Sequence, residues 1–205
     1  GIELVGSCSI EAYDAAAPQA VRSAAMLPGA RGVVLAGSAG TALWTAYRAF
    51  VAADPAHEDR PHPYDAFVAR LLARADAALG AAGCRLRRFD AAFHATPRID
   101  FVALARLCGL GTPGPFFLAI HATHGPWWAM RGAWLLDAEV DPQSPHVPPC
   151  DGCLAPCVGG WQNAGGIAVA TPRARARCVV GQGSRYDDEQ IAFHYGTGRA
   201  PGAGA

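Results

Sequence analysis

The run at residues 64–82, YDAFVARLLARADAALGAA, limits what this chain can fold into more than any other segment. At 3.6 residues per turn it places Phe67, Leu71, Leu72, Ala75 and Leu79 on one face and Arg70, Arg74 and Asp76 largely elsewhere, which predicts an amphipathic helix of about five turns. A helix with one apolar face needs an apolar surface to lie on. Compact apolar runs at 2–9, 32–36, 84–89, 116–121 and 129–136 read as strands that supply it. Further helices are expected at 19–26, stopped by Pro28 and Gly29, at 99–108, closed by Gly109, and at 187–195, where Asp187, Asp188 and Glu189 suit a first turn. The resulting class is α+β, a mixed β-sheet flanked by helices, and 205 residues have room for one core of ordinary size.

After Asp137 the pattern changes. Pro142, Pro145, Pro148, Pro149 and Pro156 predict an irregular surface segment, and the Gly- and Ala-rich tail reads as disordered. The organisation expected is a core over 1–140, a Pro/Cys-rich segment over 141–182, a helix completing the core over 183–196 and a disordered tail over 197–205.

Seventeen basic residues balance seventeen acidic ones, so no bulk charge favours nucleic acid or an anionic membrane. Every basic residue is Arg, which excludes a Schiff-base Lys, a phosphate-loop Lys and a Lys general base. The most apolar stretch, 107–128, is interrupted by Pro113, Pro115, His121, His124 and Pro126 and does not read as a membrane span. No secretory leader is visible after Gly1, so the compartment is read as cytoplasmic, with residues before Gly1 left open.

Two stretches carry candidate chemistry. In 108–137, CGLGTPGPFFLAIHATHGPWWAMRGAWLLD, Gly109, Gly111 and Gly114 permit close backbone approach to a ligand, without forming a dinucleotide motif. His121, His124, Trp127, Trp128 and Trp134 follow as imidazoles beside a broad aromatic surface. They suit either a large flat ligand or an ordinary core. The second stretch, PCDGCLAPC, spaces Cys150, Cys153 and Cys157 as Cys-x2-Cys-x3-Cys, with Cys178 available to complete a four-thiolate set for a [4Fe-4S] cluster or zinc. The plain alternative is a loop of reduced cysteines. Cys8, Cys84 and Cys108 are isolated.

IDFVALARLCGLG followed by LAIHATHGPWWAMRGAWLLDAEVD resembles the cobalamin-binding core of epoxyqueuosine reductases and their relatives, with weaker echoes in GIELVG, LPGARGVVL and HPYDAFVARLL. RYDDEQIAFHY at 185–195 is similar to a segment of the cobalamin-trafficking family of methylmalonic aciduria and homocystinuria type C. The resemblance implies a nitroreductase-like fold, a corrinoid partner, and reductive removal of the upper axial ligand (decyanation or dealkylation), with glutathione or a reduced flavin as electron source. It implies a catalytic role for His121, and cofactor contacts from Gly109, Gly111, Gly114, His121, Gly125, Trp127, Trp128, Arg131, Gly132, Arg185 and Tyr186. Two alternatives stand beside it: an epoxyqueuosine-reductase-like enzyme with an iron-sulfur cluster, and a cobalamin carrier without turnover. The reductase pattern is broken at Pro115 and Phe116, where those enzymes have Lys and Asn. It is broken again at His94 or Ala95, where they have their catalytic Asp, leaving His94 or Asp100 to replace it.

Overall fold

A computed structural model describes residues 1–92, 94–115, 118–144, 148–161 and 167–196. Four strands form its centre: β1 (Leu4–Ser9), β2 (Gly32–Ala39), β3 (Leu86–Asp90) and a long strand at Trp128–Leu136, ordered β1, β2, Trp128–Leu136, β3. All three pairings are antiparallel, so the expected sheet is present without the parallel pairs that a mixed sheet would contain. A separate two-stranded ribbon, β4 (Thr112–Pro113) with β5 (Ala119–Ile120), precedes the long strand, hereafter β6. The strand expected over 116–121 is thus shorter, and Phe116 and Phe117 lie outside the described residues.

Both faces of the sheet are buried, which explains the unbroken apolar character of GVVLA. Val33 and Leu35 face one way, packing with Cys8, Phe89, Ala133 and Leu135 against α1 (Ile10–Ala16) and Leu104 and Ala105 of α5 (Phe101–Leu107). Ala36, Trp134 and Leu136 face the other way. They meet Leu43, Trp44, Tyr47 and Val51 of α3 (Ala42–Ala53) and Tyr64, Phe67, Val68 and Leu72 of α4 (Pro63–Ala81). The isolated cysteines Cys8 and Cys108 meet in the first of these cores, joined by a thiol hydrogen bond that, ahead of burial, holds the Cys108 thiol up.

The helix expected over 19–26 is not continuous. Arg22 is extended at φ −63°, ψ 156°, leaving a single 3-10 turn at Gln19–Val21 and the short α2 (Ser23–Met26). The principal helix here is α1, started by Ser9, whose side chain accepts from the Ala12 N–H, and ended before Pro18. Helix α3 has no counterpart in the sequence reading, although Leu43, Trp44, Tyr47 and Val51 form a helical apolar stripe. The Pro/Cys-rich segment leads into α6 (Pro156–Trp161) and α7 (Ile167–Ala176), both also unforeseen, and then the expected α8 (Asp188–Tyr195), in which Asp187 is the cap and not part of the first turn. The tail over 197–205 lies outside the described residues. No described helix is long and apolar enough to cross a membrane.

Candidate functional site

At the end of the sheet where β6 begins, α3, α4 and α8 converge on one nest of rings. Phe193 of α8 lies 4.9 Å from Trp44, and His194 lies 5.1 Å from Tyr64 and 6.0 Å from Tyr186. Tyr186 meets Trp127 edge-on at 5.4 Å. Two guanidinium groups face these rings: Arg131 over Tyr64 at 5.3 Å and Arg175 over Tyr186 at 5.6 Å. Arg131 is fixed by its Nε, which donates to Ser38 Oγ at 2.8 Å.

Many polar atoms of this nest are buried without a hydrogen-bond partner among the described residues. They are Trp44 Nε1, Tyr47 OH, Tyr64 OH, Trp127 Nε1, Gln190 Oε1, and Nε and Nη1 of Arg175. Each such group costs about 1–3 kcal/mol, so this concentration marks a place built to meet further polar groups. Burial, reinforced by Arg131 and Arg175, pushes His194 down to about 4, and burial raises Tyr64 to about 12 against the pull of Arg131. The nest therefore presents neutral donors and acceptors beside two permanent cations near pH 7.

Arg131 also walls an adjoining cleft of about 160 Å³, lined with it by His62, Asp65, Asp90, His94 and Met130. His94 Nδ1 lies 3.6 Å from Asp65 Oδ2. Asp100, the other suggested replacement for the reductases' acid, is occupied as the cap of α5, accepting from Val102 and Ala103 N–H at 3.0 and 2.9 Å.

The structure brings Trp127, Arg131 and Tyr186 together and places the other expected residues differently. Arg185 is exposed, 4.0 Å from Asp188. His121 is buried in the HATHG turn, where its Nδ1 accepts from Thr123 and His124 N–H at 3.0 and 3.2 Å and its ring lies 5.7 Å from Trp128. The turn docks on the segment before α8. His124 Nδ1 is 2.7 Å from Ser184 Oγ, and any Cβ on Gly125 would collide with the Val180 carbonyl. Trp128 donates to the Ala119 carbonyl at 2.8 Å from within the first core.

Gly109, Gly111, Gly114 and Gly132 make room for the protein's own atoms: a Cβ at Gly111 would stand 2.8 Å from the Trp128 ring, and one at Gly132 2.8 Å from Leu72. At Gly109 it would meet the Ser144 carbonyl, and at Gly114 the Ile120 side chain. The nest's largest contributors beyond Arg131, namely Trp44, Tyr47, Tyr64, Arg175 and His194, were missed by sequence reasoning. The stripe WTAY in α3 was the signal that could have found the first two.

Cys150, Cys153, Cys157 and Cys178 are all free thiols and line one apolar cavity with Leu118, Ile120, Pro126 and Val180. Burial pushes Cys150 and Cys178 up, and the neighbouring cysteines add to the rise. Thiols raised in this way are poor nucleophiles, whereas a cation among them would favour the thiolates. No three of these sulfurs lie within 4.8 Å of one another.

No protein-family profile and no curated protein matches this sequence. Among solved structures, the chain is similar to a B12-trafficking protein CblC of C. elegans, a human MMACHC homologue, at 13% identity and a TM-score of 0.61, over 94% of this chain and 84% of that one. It is also similar to epoxyqueuosine reductase from Streptococcus thermophilus at 15% identity and TM-score 0.51, over 87% of this chain and 53% of the other. The Bacillus subtilis reductase matches at 13% and 0.53, over 78% and 48%. The chain thus spans about half the length of the reductases. It has the nitroreductase-like α+β fold common to these proteins.

Proposed function

We propose that this protein binds a corrinoid at the Arg131 nest and reductively removes its upper axial ligand. The observation carrying the proposal is the set of orphaned buried polar atoms on Trp44, Tyr47, Tyr64, Trp127, Arg175 and Gln190, gathered on a fold shared with a B12-trafficking protein. A corrinoid is rimmed with carboxamides and carries a phosphate, and indole N–H, phenol O–H and guanidinium donors are the groups that meet them. When bound, the corrinoid supplies a cobalt centre whose axial bond breaks on reduction, the electrons coming from a thiol such as glutathione or from a reduced flavin.

The chain's own residues bind, orient and exclude water. Arg131, held by Ser38 and Tyr64, presents a fixed cation to a phosphate or to the carboxylates of the thiol. Arg185, exposed beside Tyr186, is free to turn toward the same ligand. Rings of Trp127, Tyr186 and His194 keep water from the space beneath them. His121, the expected catalytic residue, supports the turn that carries Trp127.

Titration of the purified protein with hydroxocobalamin and cyanocobalamin tests this reading. Saturable quenching of tryptophan fluorescence is expected, followed by a spectral change of bound cyanocobalamin on adding glutathione or reduced flavin. Binding without any spectral change would identify a carrier. No binding would remove the proposal.

The four cysteines favour a second property, an iron-sulfur site at Cys150, Cys153, Cys157 and Cys178 as in an epoxyqueuosine-reductase-like enzyme. Their shared apolar cavity supports it, and four thiolates gathered there suit zinc as well. The proposed setting is the cytoplasm, with no direct nucleic-acid partner.

A further inference from the structure

The cleft beside Arg131 holds a group of side chains that neither the nest nor the cysteines use. His62 stands at the start of α4, Asp65 lies three residues on in its first turn, and His94 comes from the connection between β3 and α5. Spacing of three along a helix start puts the first two on one side, and the fold delivers the third opposite them. One ligand atom from each of the three lies within 4.8 Å of the other two, and among the described residues this is the one such group of three His, Cys, Asp or Glu side chains.

His62 and His94 are exposed and Asp65 is half-buried, so all three side chains are open to the solvent of the cleft. The two imidazoles are stacked at 4.3 Å with 20° between their planes. The 3.6 Å between His94 and Asp65 is beyond hydrogen-bond length. Backbone placement is firm on the α4 side, where the His62 carbonyl accepts from the Ala66 N–H at 3.0 Å. His62 itself sits at φ +51°, a conformation that costs energy for any residue with a side chain.

The geometry points to a divalent transition-metal site made by His62, Asp65 and His94. Two imidazoles and one carboxylate are a donor set for borderline ions such as Zn²⁺, Co²⁺ and Ni²⁺, poorly suited to Mg²⁺ or Ca²⁺. Three protein ligands leave positions open toward the cleft for water or an anionic molecule. Arg131, in the cleft wall, opposes the cation, but its charge is turned to Ser38 and the Tyr64 ring. Metal binding ties the connection after β3 to the start of α4. The site does not depend on the corrinoid reading.

Co²⁺ titration of the full chain, followed in the visible, is the test. Nitrogen- and oxygen-bound cobalt shows weak visible bands, while thiolate-bound cobalt adds intense near-ultraviolet charge transfer, so the four cysteines report separately. Weak visible bands that saturate at one equivalent and persist when Cys150→Ser reduces any thiolate absorption are expected, with a Zn²⁺-dependent rise in Tm. Replacing even a partner behind a metal ligand costs 10- to 100-fold in affinity, so His94→Ala and His62→Asn should each weaken binding at least about tenfold. Asn is chosen at His62 because it tolerates the left-handed backbone. Absence of saturable binding would overturn the assignment, as would Co²⁺ binding that survives both His variants and is abolished by Cys150→Ser.

Discussion

His121 shows how a residue's neighbours decide its role. The HATHG turn needs an acceptor for two adjacent N–H groups, and the buried Nδ1 supplies it. His121→Ala should therefore cost about 1–2 kcal/mol and lower Tm by several degrees, while corrinoid titration stays near normal. His121→Asn, whose side chain can accept from the same turn, should recover part of the loss. Gly125 belongs to the same clamp: φ is +56° and the Val180 carbonyl fills the place of a Cβ, so Gly125→Ala should lower Tm more than His121→Ala does. His124 is engaged with Ser184 in the same clamp. The Ile-His pair was legible in the sequence, but which way the ring turned was not, because that depends on hydrogen bonds within a turn whose shape the string of residues does not state.

Helix α8 closes the nest, and its hold depends on pH through His194. Burial first, then Arg131 and Arg175, take that imidazole from 6.5 down to about 4. The unfolded chain thus binds the proton more readily, so the stabilisation from neutral His194 is present above about pH 6.5 and is lost as pH falls toward 4. Its size is on the order of 2–3 kcal/mol. Urea unfolding at pH 7 and pH 4.5 should show a smaller acid loss for His194→Gln than for the parent protein. Hydrogen exchange should place the difference in α8. The helix itself was readable from its acidic first turn. Helix α3 has no counterpart in the sequence reading, although its stripe of Leu43, Trp44, Tyr47 and Val51 follows Thr41, a residue type that suits a helix start.

For the molecule as a whole, anaerobic purification should yield iron with acid-labile sulfide, and Cys178→Ser should lower both together with the visible absorbance. Native alkylation of all four thiols with neither iron nor sulfide present would leave them as plain loop cysteines. Amphipathic periodicity by itself determined the helix over residues 64–82, apolar runs marked the principal strands, and the cysteine spacing singled out a set that does line one cavity. Those features are local, and local chain geometry is enough to specify them. Only the tertiary structure decided that the strands run β1, β2, β6, β3 with every pairing antiparallel. It alone brought Trp44, Tyr64, Trp127, Arg131 and His194 to one end of the sheet and His94 to His62 and Asp65. Pairing of distant segments is governed by how two apolar faces of one sheet are covered at once, and that is a property of the packed whole.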